Sequence, residues 1–181
     1  GNKLTAIERD GIKHSFTYDN TGNLTGETLS SNGKSRTTQY SNGYYANHIM
    51  VSRTVIAPDG GQTRYQFDSK GNLTAITSAS GQITKYSQYD TLGDPATVTH
   101  PDGTVVALTY GATGQILTEQ HYAKGQTAGS DTPFHSVRYS YNRFGHVSSI
   151  VSTPDTTNYF FYDLAGRLVA EQQIVSSSAA T

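Results

Sequence analysis

A seven-residue pattern recurs along the chain: aromatic, polar, two free positions, glycine, polar, aliphatic. It reads Tyr18-Asp19-Asn20-Thr21-Gly22-Asn23-Leu24, Phe67-Asp68-Ser69-Lys70-Gly71-Asn72-Leu73 and Tyr89-Asp90-Thr91-Leu92-Gly93-Asp94-Pro95. Three looser copies keep the aromatic and the glycine while the second position drifts: Tyr110-Gly111-Ala112-Thr113-Gly114-Gln115-Ile116, Tyr141-Asn142-Arg143-Phe144-Gly145-His146-Val147 and Tyr162-Asp163-Leu164-Ala165-Gly166-Arg167-Leu168. A short unit repeated at fixed spacing cannot bury its own apolar face and must stack on its neighbours. The repeat therefore restricts the chain to an array architecture before any element is assigned. Gly71, Gly93 and Gly114 lie 22 and 21 residues apart, and Gly145 and Gly166 lie 21 apart, so the period is about 21 with one longer unit. The interval from Gly22 to Gly71 leaves room for a degenerate copy, expected around Tyr40-Ser41-Asn42-Gly43.

The residue types assign the pattern to a turn. An aspartate after the aromatic can accept hydrogen bonds from N–H groups inside the turn, and a glycine can take the left-handed backbone that closes it. The candidate turn residues are thus Tyr18, Asp19, Gly22, Phe67, Asp68, Gly71, Tyr89, Asp90, Gly93, Tyr110, Gly114, Tyr141, Gly145, Tyr162, Asp163 and Gly166. A second punctuation mark falls about midway, at Asp10-Gly11, Asn32-Gly33, Asp59-Gly60, Ser80-Gly81 and Asp102-Gly103. These dipeptides favour the positive-φ backbone of tight hairpins, which makes each unit one hairpin and its connection. Between turns, Arg64-Tyr65-Gln66-Phe67-Asp68 and Arg138-Tyr139-Ser140-Tyr141-Asn142 alternate aromatic and polar residues as half-buried strands do. Tyr159-Phe160-Phe161-Tyr162 is aromatic on both faces, which implies cover from both sides or a neighbouring surface outside this chain. No segment carries a sustained, capped helical stripe. The expected fold is all-β, with tandem hairpin repeats of about 21 residues forming a spiralling or solenoid-like antiparallel sheet over residues 1–175 and a tail at 176–181.

Composition narrows the function classes. Thirteen Tyr and six Phe must supply much of the apolar surface in a chain that is only 34% hydrophobic. A net charge of -1 without a basic stripe argues against a nucleic-acid partner, and no apolar run is long enough to span a membrane. Zero Cys removes disulfides and thiolate chemistry. The first residues show no basic segment followed by an apolar one, so no signal peptide is expected within the sequence.

The tyrosine-aspartate turns closely resemble the YD repeats of Rhs proteins, of the B and C components of insecticidal toxin complexes, and of teneurins. The resemblance runs from residue 5 to 172 and is most specific at Tyr162–Leu168 and Phe67–Leu73. It implies a long β-sheet strip that spirals into a hollow shell around a toxic C-terminal domain, and a secreted or cell-surface location. On that likeness the chain is a portion of shell wall, with neighbouring repeats of the same parent protein and an enclosed toxin domain as its partners. The family's self-cleavage region has no counterpart in residues 172–181, and Asp94-Pro95 sits in a repeat turn, so protease function is not carried over.

Catalytic, cofactor and metal sites are not expected. His14, His48, His100, His121, His135 and His146 lack the paired spacing of metal ligands, no nucleophile elbow or phosphate loop occurs, and Asp90 with Asp94 is better explained by turn capping. A second reading is a carbohydrate or cell-surface binding module that uses exposed aromatic rows. Open sheet edges would also permit edge-to-edge self-association. The stretch from Ala123 to Thr132, where the period lengthens, reads as a flexible hairpin tip.

Overall fold

The computed structural model describes residues 3–154 and 156–176, so of the expected tail only Ser176 is among the described residues. These residues contain no helix. They form fifteen strands whose order in one open antiparallel sheet is their order in the chain. Two compact units divide the chain, residues 1–85 and 86–181. The first holds β1 (Ala6–Arg9), β2 (Ile12–Tyr18), β3 (Leu24–Ser31), β4 (Lys34–Tyr44), β5 (Met50–Ile56), β6 (Gln62–Phe67) and β7 (Leu73–Thr77). The division falls within β8 (Ile83–Tyr89). The second holds β9 (Pro95–Thr99), β10 (Val105–Tyr110), β11 (Ile116–Tyr122), β12 (His135–Tyr141), β13 (Val147–Ser152), β14 (Thr156–Tyr162) and β15 (Leu168–Val175).

Within each unit a strand packs only on the strands before and after it, so no second layer covers the sheet. Full burial is correspondingly rare: among the described residues only Gly26, Ala75 and Tyr122 are buried, the last two at 9% and 1% exposure. Strands alternate instead between half-buried and exposed positions. In β6, Thr63, Tyr65 and Phe67 are half-buried while Gln62, Arg64 and Gln66 face solvent, which is the period-two pattern of a sheet with one wetted face. The doubly aromatic β14 places Phe160 and Tyr162 on the half-buried side and leaves Tyr159 and Phe161 exposed at 39% and 48%.

The midway turns divide into two kinds, which corrects the expectation of one. Asp10-Gly11 and Asn32-Gly33 are two-residue loops with φ positive at both positions, closing Arg9 on Ile12 and Ser31 on Lys34 as type I′ hairpins do. At Asp59-Gly60, Ser80-Gly81 and Asp102-Gly103 only the glycine has positive φ. The loop there is one residue longer, with Gly60 N–H donating to the Ala57 carbonyl at 2.8 Å and Ala57 N–H to the Gly61 carbonyl at 2.8 Å. Gly103 with His100, and Gly81 with Ser78, repeat the bond at 2.9 Å. The cause is Pro58 and Pro101, which stand at the first central position and fix φ near −65°, a value a type I′ turn cannot use. Ser78 reaches the same geometry without proline, its hydroxyl accepting the Gln82 N–H at 3.1 Å.

Candidate functional site

The repeat turns are the places where the chain concentrates its polar geometry. In each, the second motif residue and the glycine close the loop: Gly71 N–H donates to the Asp68 carbonyl at 3.0 Å, and Asp68 N–H to the Asn72 carbonyl at 2.9 Å. Matching pairs tie Asp19 to Gly22 and Asn23, Asp90 to Gly93 and Asp94, Gly111 to Gly114 and Gln115, Asn142 to Gly145 and His146, and Asp163 to Gly166 and Arg167. All six glycines have φ between 78° and 98°, the left-handed region that costs an L side chain about 1–2 kcal/mol. Five of the six turns have a register shift beside them that sets the motif aromatic opposite the motif aliphatic: Tyr18 with Leu24, Phe67 with Leu73, Tyr110 with Ile116, Tyr141 with Val147 and Tyr162 with Leu168.

The carboxylate of the second residue organises the loop from inside. Asp19 Oδ1 accepts the N–H groups of Thr21, Gly22 and Asn23 at 3.0, 2.6 and 2.8 Å. Asp68, Asp90 and Asp163 each accept two backbone N–H groups at 2.8 to 3.0 Å. Asn142 Oδ1 does the same for Phe144 and His146 at 2.9 and 3.1 Å. The required property is therefore an oxygen two bonds from Cβ, with or without charge, and Gly111 shows that the backbone bonds form even without it. Where the charge is present these donors favour the ionised form. The Asn23 side-chain amide, followed by its backbone N–H, holds the Asp19 carboxyl far below the ordinary value of 3.8. The Asn72 backbone N–H does so for Asp68, and the Arg167 backbone N–H, then its guanidinium, for Asp163.

The motif aromatic faces backward along the array. Tyr110, Tyr141 and Tyr162 donate their hydroxyls to the carbonyls of Pro95, Ile116 and Val147, at 2.9, 2.7 and 2.8 Å. Each acceptor is the seventh residue of the preceding copy, so the hydroxyl ties one copy to the last. Tyr18 makes the same reach to the Leu4 carbonyl at 2.9 Å. This link is absent from the sequence reading, which treated the tyrosine only as apolar surface. The tyrosine hydroxyl itself was the available signal.

A seventh turn of the same geometry lies at Tyr45–Ile49, not at Tyr40–Gly43, which runs inside β4. Tyr45 N–H donates to the Ile49 carbonyl at 2.8 Å and His48 N–H to the Tyr45 carbonyl at 3.0 Å, with the register shift pairing Tyr44 with Met50. His48 holds the glycine position at φ 63°. The glycine of Gly43 misdirected the expectation, since this copy has none at its turn.

Away from the repeat turns, the stretch from Ala123 to Thr132 is a hydrogen-bonded loop. Asp131 Oδ2 accepts the Thr127 N–H at 2.5 Å, Gln126 Oε1 accepts the Ala123 N–H at 2.8 Å, and the Gly129 N–H reaches the buried Tyr122 hydroxyl at 3.2 Å. His121 and His135, far apart in sequence, face each other across β11 and β12 with ring centroids 5.4 Å apart. Among the described residues no group of three or more His, Cys, Asp or Glu is placed to hold a metal ion.

Residues 53–83 and 89–127 match the family model described as RHS Repeat, a span that contains the turns at Phe67, Tyr89 and Tyr110. No curated protein matches the sequence. Among solved structures, a crystal structure of TcdB2-TccC3 aligns with 88% of this chain and 12% of its own at 11% identity and a TM-score of 0.41. The Tc holotoxin pore of Photorhabdus luminescens aligns with 88% and 12% at 12% identity and 0.41. A porin-like protein from Bacteroides uniformis aligns with 93% and 90% at 13% identity and 0.38. The chain spans about 12% of the length of the two toxin-complex chains.

Proposed function

We propose that the chain, whose residues 53–83 and 89–127 match the RHS-repeat model, is a stretch of β-sheet wall in a larger exported protein that encloses or presents a toxin domain. The observation that supports this reading most is the consumption of the motif in architecture. The hydroxyls of Tyr110, Tyr141 and Tyr162 are spent on the preceding copy, the oxygens of Asp19, Asp68, Asp90 and Asp163 on their own turns, and the glycines on backbone geometry. These groups serve the wall itself, and we assign the motif no catalytic role.

The partners of such a wall are further repeats of the parent protein. All eight residues of β15 are exposed, with Leu168, Val169, Ile174 and Val175 at 45% to 66%, and β1 is likewise exposed throughout. Edge strands of this kind present unpaired backbone groups to another strand. In a preparation of the chain alone the same edges favour self-association, which light scattering would register as a mass that grows with concentration.

The test of enclosure is protease protection in the full-length protein that contains this chain. The cargo domain should resist digestion while the wall is intact and become sensitive when Gly71→Val opens it. Equal sensitivity of the cargo in both proteins rejects enclosure.

A further inference from the structure

We propose that His121 and His135 together bind one divalent transition-metal ion, of the Cu²⁺, Ni²⁺ or Zn²⁺ class, between β11 and β12. The two residues lie far apart in sequence, yet the strand ladder sets them directly opposite each other. The site lies within the second unit and does not depend on the wall reading.

Three observations converge on this pair. The first is the spacing of the rings, whose centroids are 5.4 Å apart with a tilt of 49°. Two imidazoles on one tetrahedral ion, with N–metal distances of about 2.0–2.1 Å, hold their centroids roughly 5 Å apart. The second is the state of the ring nitrogens. His135 Nδ1 donates to the Thr153 carbonyl at 2.7 Å, which fixes the tautomer with its lone pair on Nε2. Backbone carbonyls orient metal-binding histidines in this way. Among the described residues the His121 ring makes no hydrogen bond, since Glu119 Oε2 stands 3.6 Å from its Nε2, beyond hydrogen-bond reach. The third is the local ladder. Phe134 N–H donates to the His121 carbonyl at 2.9 Å, one residue out of step with the His121–His135 pair. Phe134 and His135 both stand against the His121 ring, at 6.2 and 5.4 Å, an irregularity of the kind that re-aims side chains beside functional sites.

The donors select the ion. Imidazole nitrogens suit the late first-row divalent metals, with water completing the shell, whereas Mg²⁺ and Ca²⁺ require oxygen ligands that the pair does not supply. Two protein ligands distinguish this site from the larger clusters, of three or more residues, that do not occur among the described residues. Glu119 contributes charge rather than a bond to the ion. Tyr139 donates to its Oε1 at 3.0 Å, which holds the carboxylate beside His121 to offset the positive charge. The position also gives the ion a structural effect. β11 and β12 are joined by residues 123–134, the longest connection between strands, and the His121–His135 pair stands at its base. An ion there clips together the ends of the loop whose closure costs the most chain entropy.

The test is a calorimetric titration of the chain with Cu²⁺, Ni²⁺, Zn²⁺ and Mg²⁺ as separate salts, paired with NMR of the histidine rings during the Zn²⁺ titration. One equivalent of Zn²⁺ should bind and shift the ring signals of His121 and His135, leaving those of His14, His48, His100 and His146 in place, while Mg²⁺ does neither. His121→Gln and His135→Gln should each weaken binding by at least the roughly tenfold that loss of an outer-shell partner costs. His100→Gln, at an exposed position outside the pair, should leave binding unchanged. Should a glutamine variant at the pair fail to fold, the ring signals of the unmodified chain decide alone. No saturable binding of Cu²⁺, Ni²⁺ or Zn²⁺ up to about 1 mM, shifts centred on other histidines, unchanged affinity in either folded variant of the pair, or equal binding of Mg²⁺ would each overturn the assignment.

Discussion

The hydroxyl of Tyr141 donates to the backbone carbonyl of Ile116, 25 residues earlier and one copy back, at 2.7 Å. That bond, with its counterpart from Tyr162 to Val147, couples neighbouring copies in a sheet where, among the described residues, strands pack only on their sequence neighbours. Tyr141→Phe and Tyr162→Phe should each lower stability by about 0.5–1.5 kcal/mol, the net worth of one hydrogen bond. Phe67 already stands at a motif aromatic position, so the ring is tolerated without its hydroxyl. Urea denaturation measures the loss, and unchanged midpoints in both variants would remove the coupling role.

Glycine substitutions should separate backbone strain from contact. At Gly71 an added Cβ meets only Ile49 Cγ2 at 3.8 Å, an ordinary contact, so Gly71→Ala should cost about 1–2 kcal/mol from positive φ alone. At Gly166 the same atom lies 2.8 Å from His146 Cε1, and that imidazole packs 4.9 Å from the Tyr162 ring. Gly166→Ala must displace it and should cost more. Equal losses in thermal unfolding would show that the imidazole gives way freely.

Acid should loosen the turns. The carboxyls of Asp19, Asp68 and Asp163 are depressed in the folded chain relative to the ordinary 3.8. Their contribution is therefore complete above that value and is lost as pH falls below it through the depressed folded values. Replacing all three with Asn keeps the oxygen acceptor, as Asn142 does naturally, and should flatten the dependence of the denaturation midpoint between neutral pH and about pH 3. A slope unchanged by the three substitutions would assign the acid sensitivity elsewhere.

Among the described residues Tyr122 is the one buried aromatic, at 1% exposure, its hydroxyl accepting the Gly129 N–H of the loop that follows it. Tyr122→Ala should cost about 3–5 kcal/mol, as for other large buried aromatics. Leu164→Ala, at a fully exposed turn position, should stay within about 0.5 kcal/mol. Comparable losses at both sites would contradict the placement of the core.

Much of this architecture was legible because the motif is local. Asp68 and Gly71 act within five residues of each other, so their spacing in sequence is their geometry. Legibility failed where the determinant was not spacing. The proline before Asp59 decided the kind of turn, and the absence of glycine at His48 hid the seventh one. The tyrosine-to-carbonyl bonds span 15 to 25 residues and end on main-chain atoms, which leave no trace in residue type. The bonds within the 123–132 loop were hidden for a related reason: they come from Tyr122 and from Asp131 folding back onto Thr127.

Because Tyr18, Tyr110, Tyr141 and Tyr162 each address a carbonyl, the contact places no demand on the side chain of the acceptor, and Leu4, Pro95, Ile116 and Val147 all serve. Any copy can therefore follow any other. A gene encoding such a chain can lengthen, shorten or recombine by whole units without redesigning the joints, and the individual copies are free to diverge on their surfaces while the fit between them is preserved.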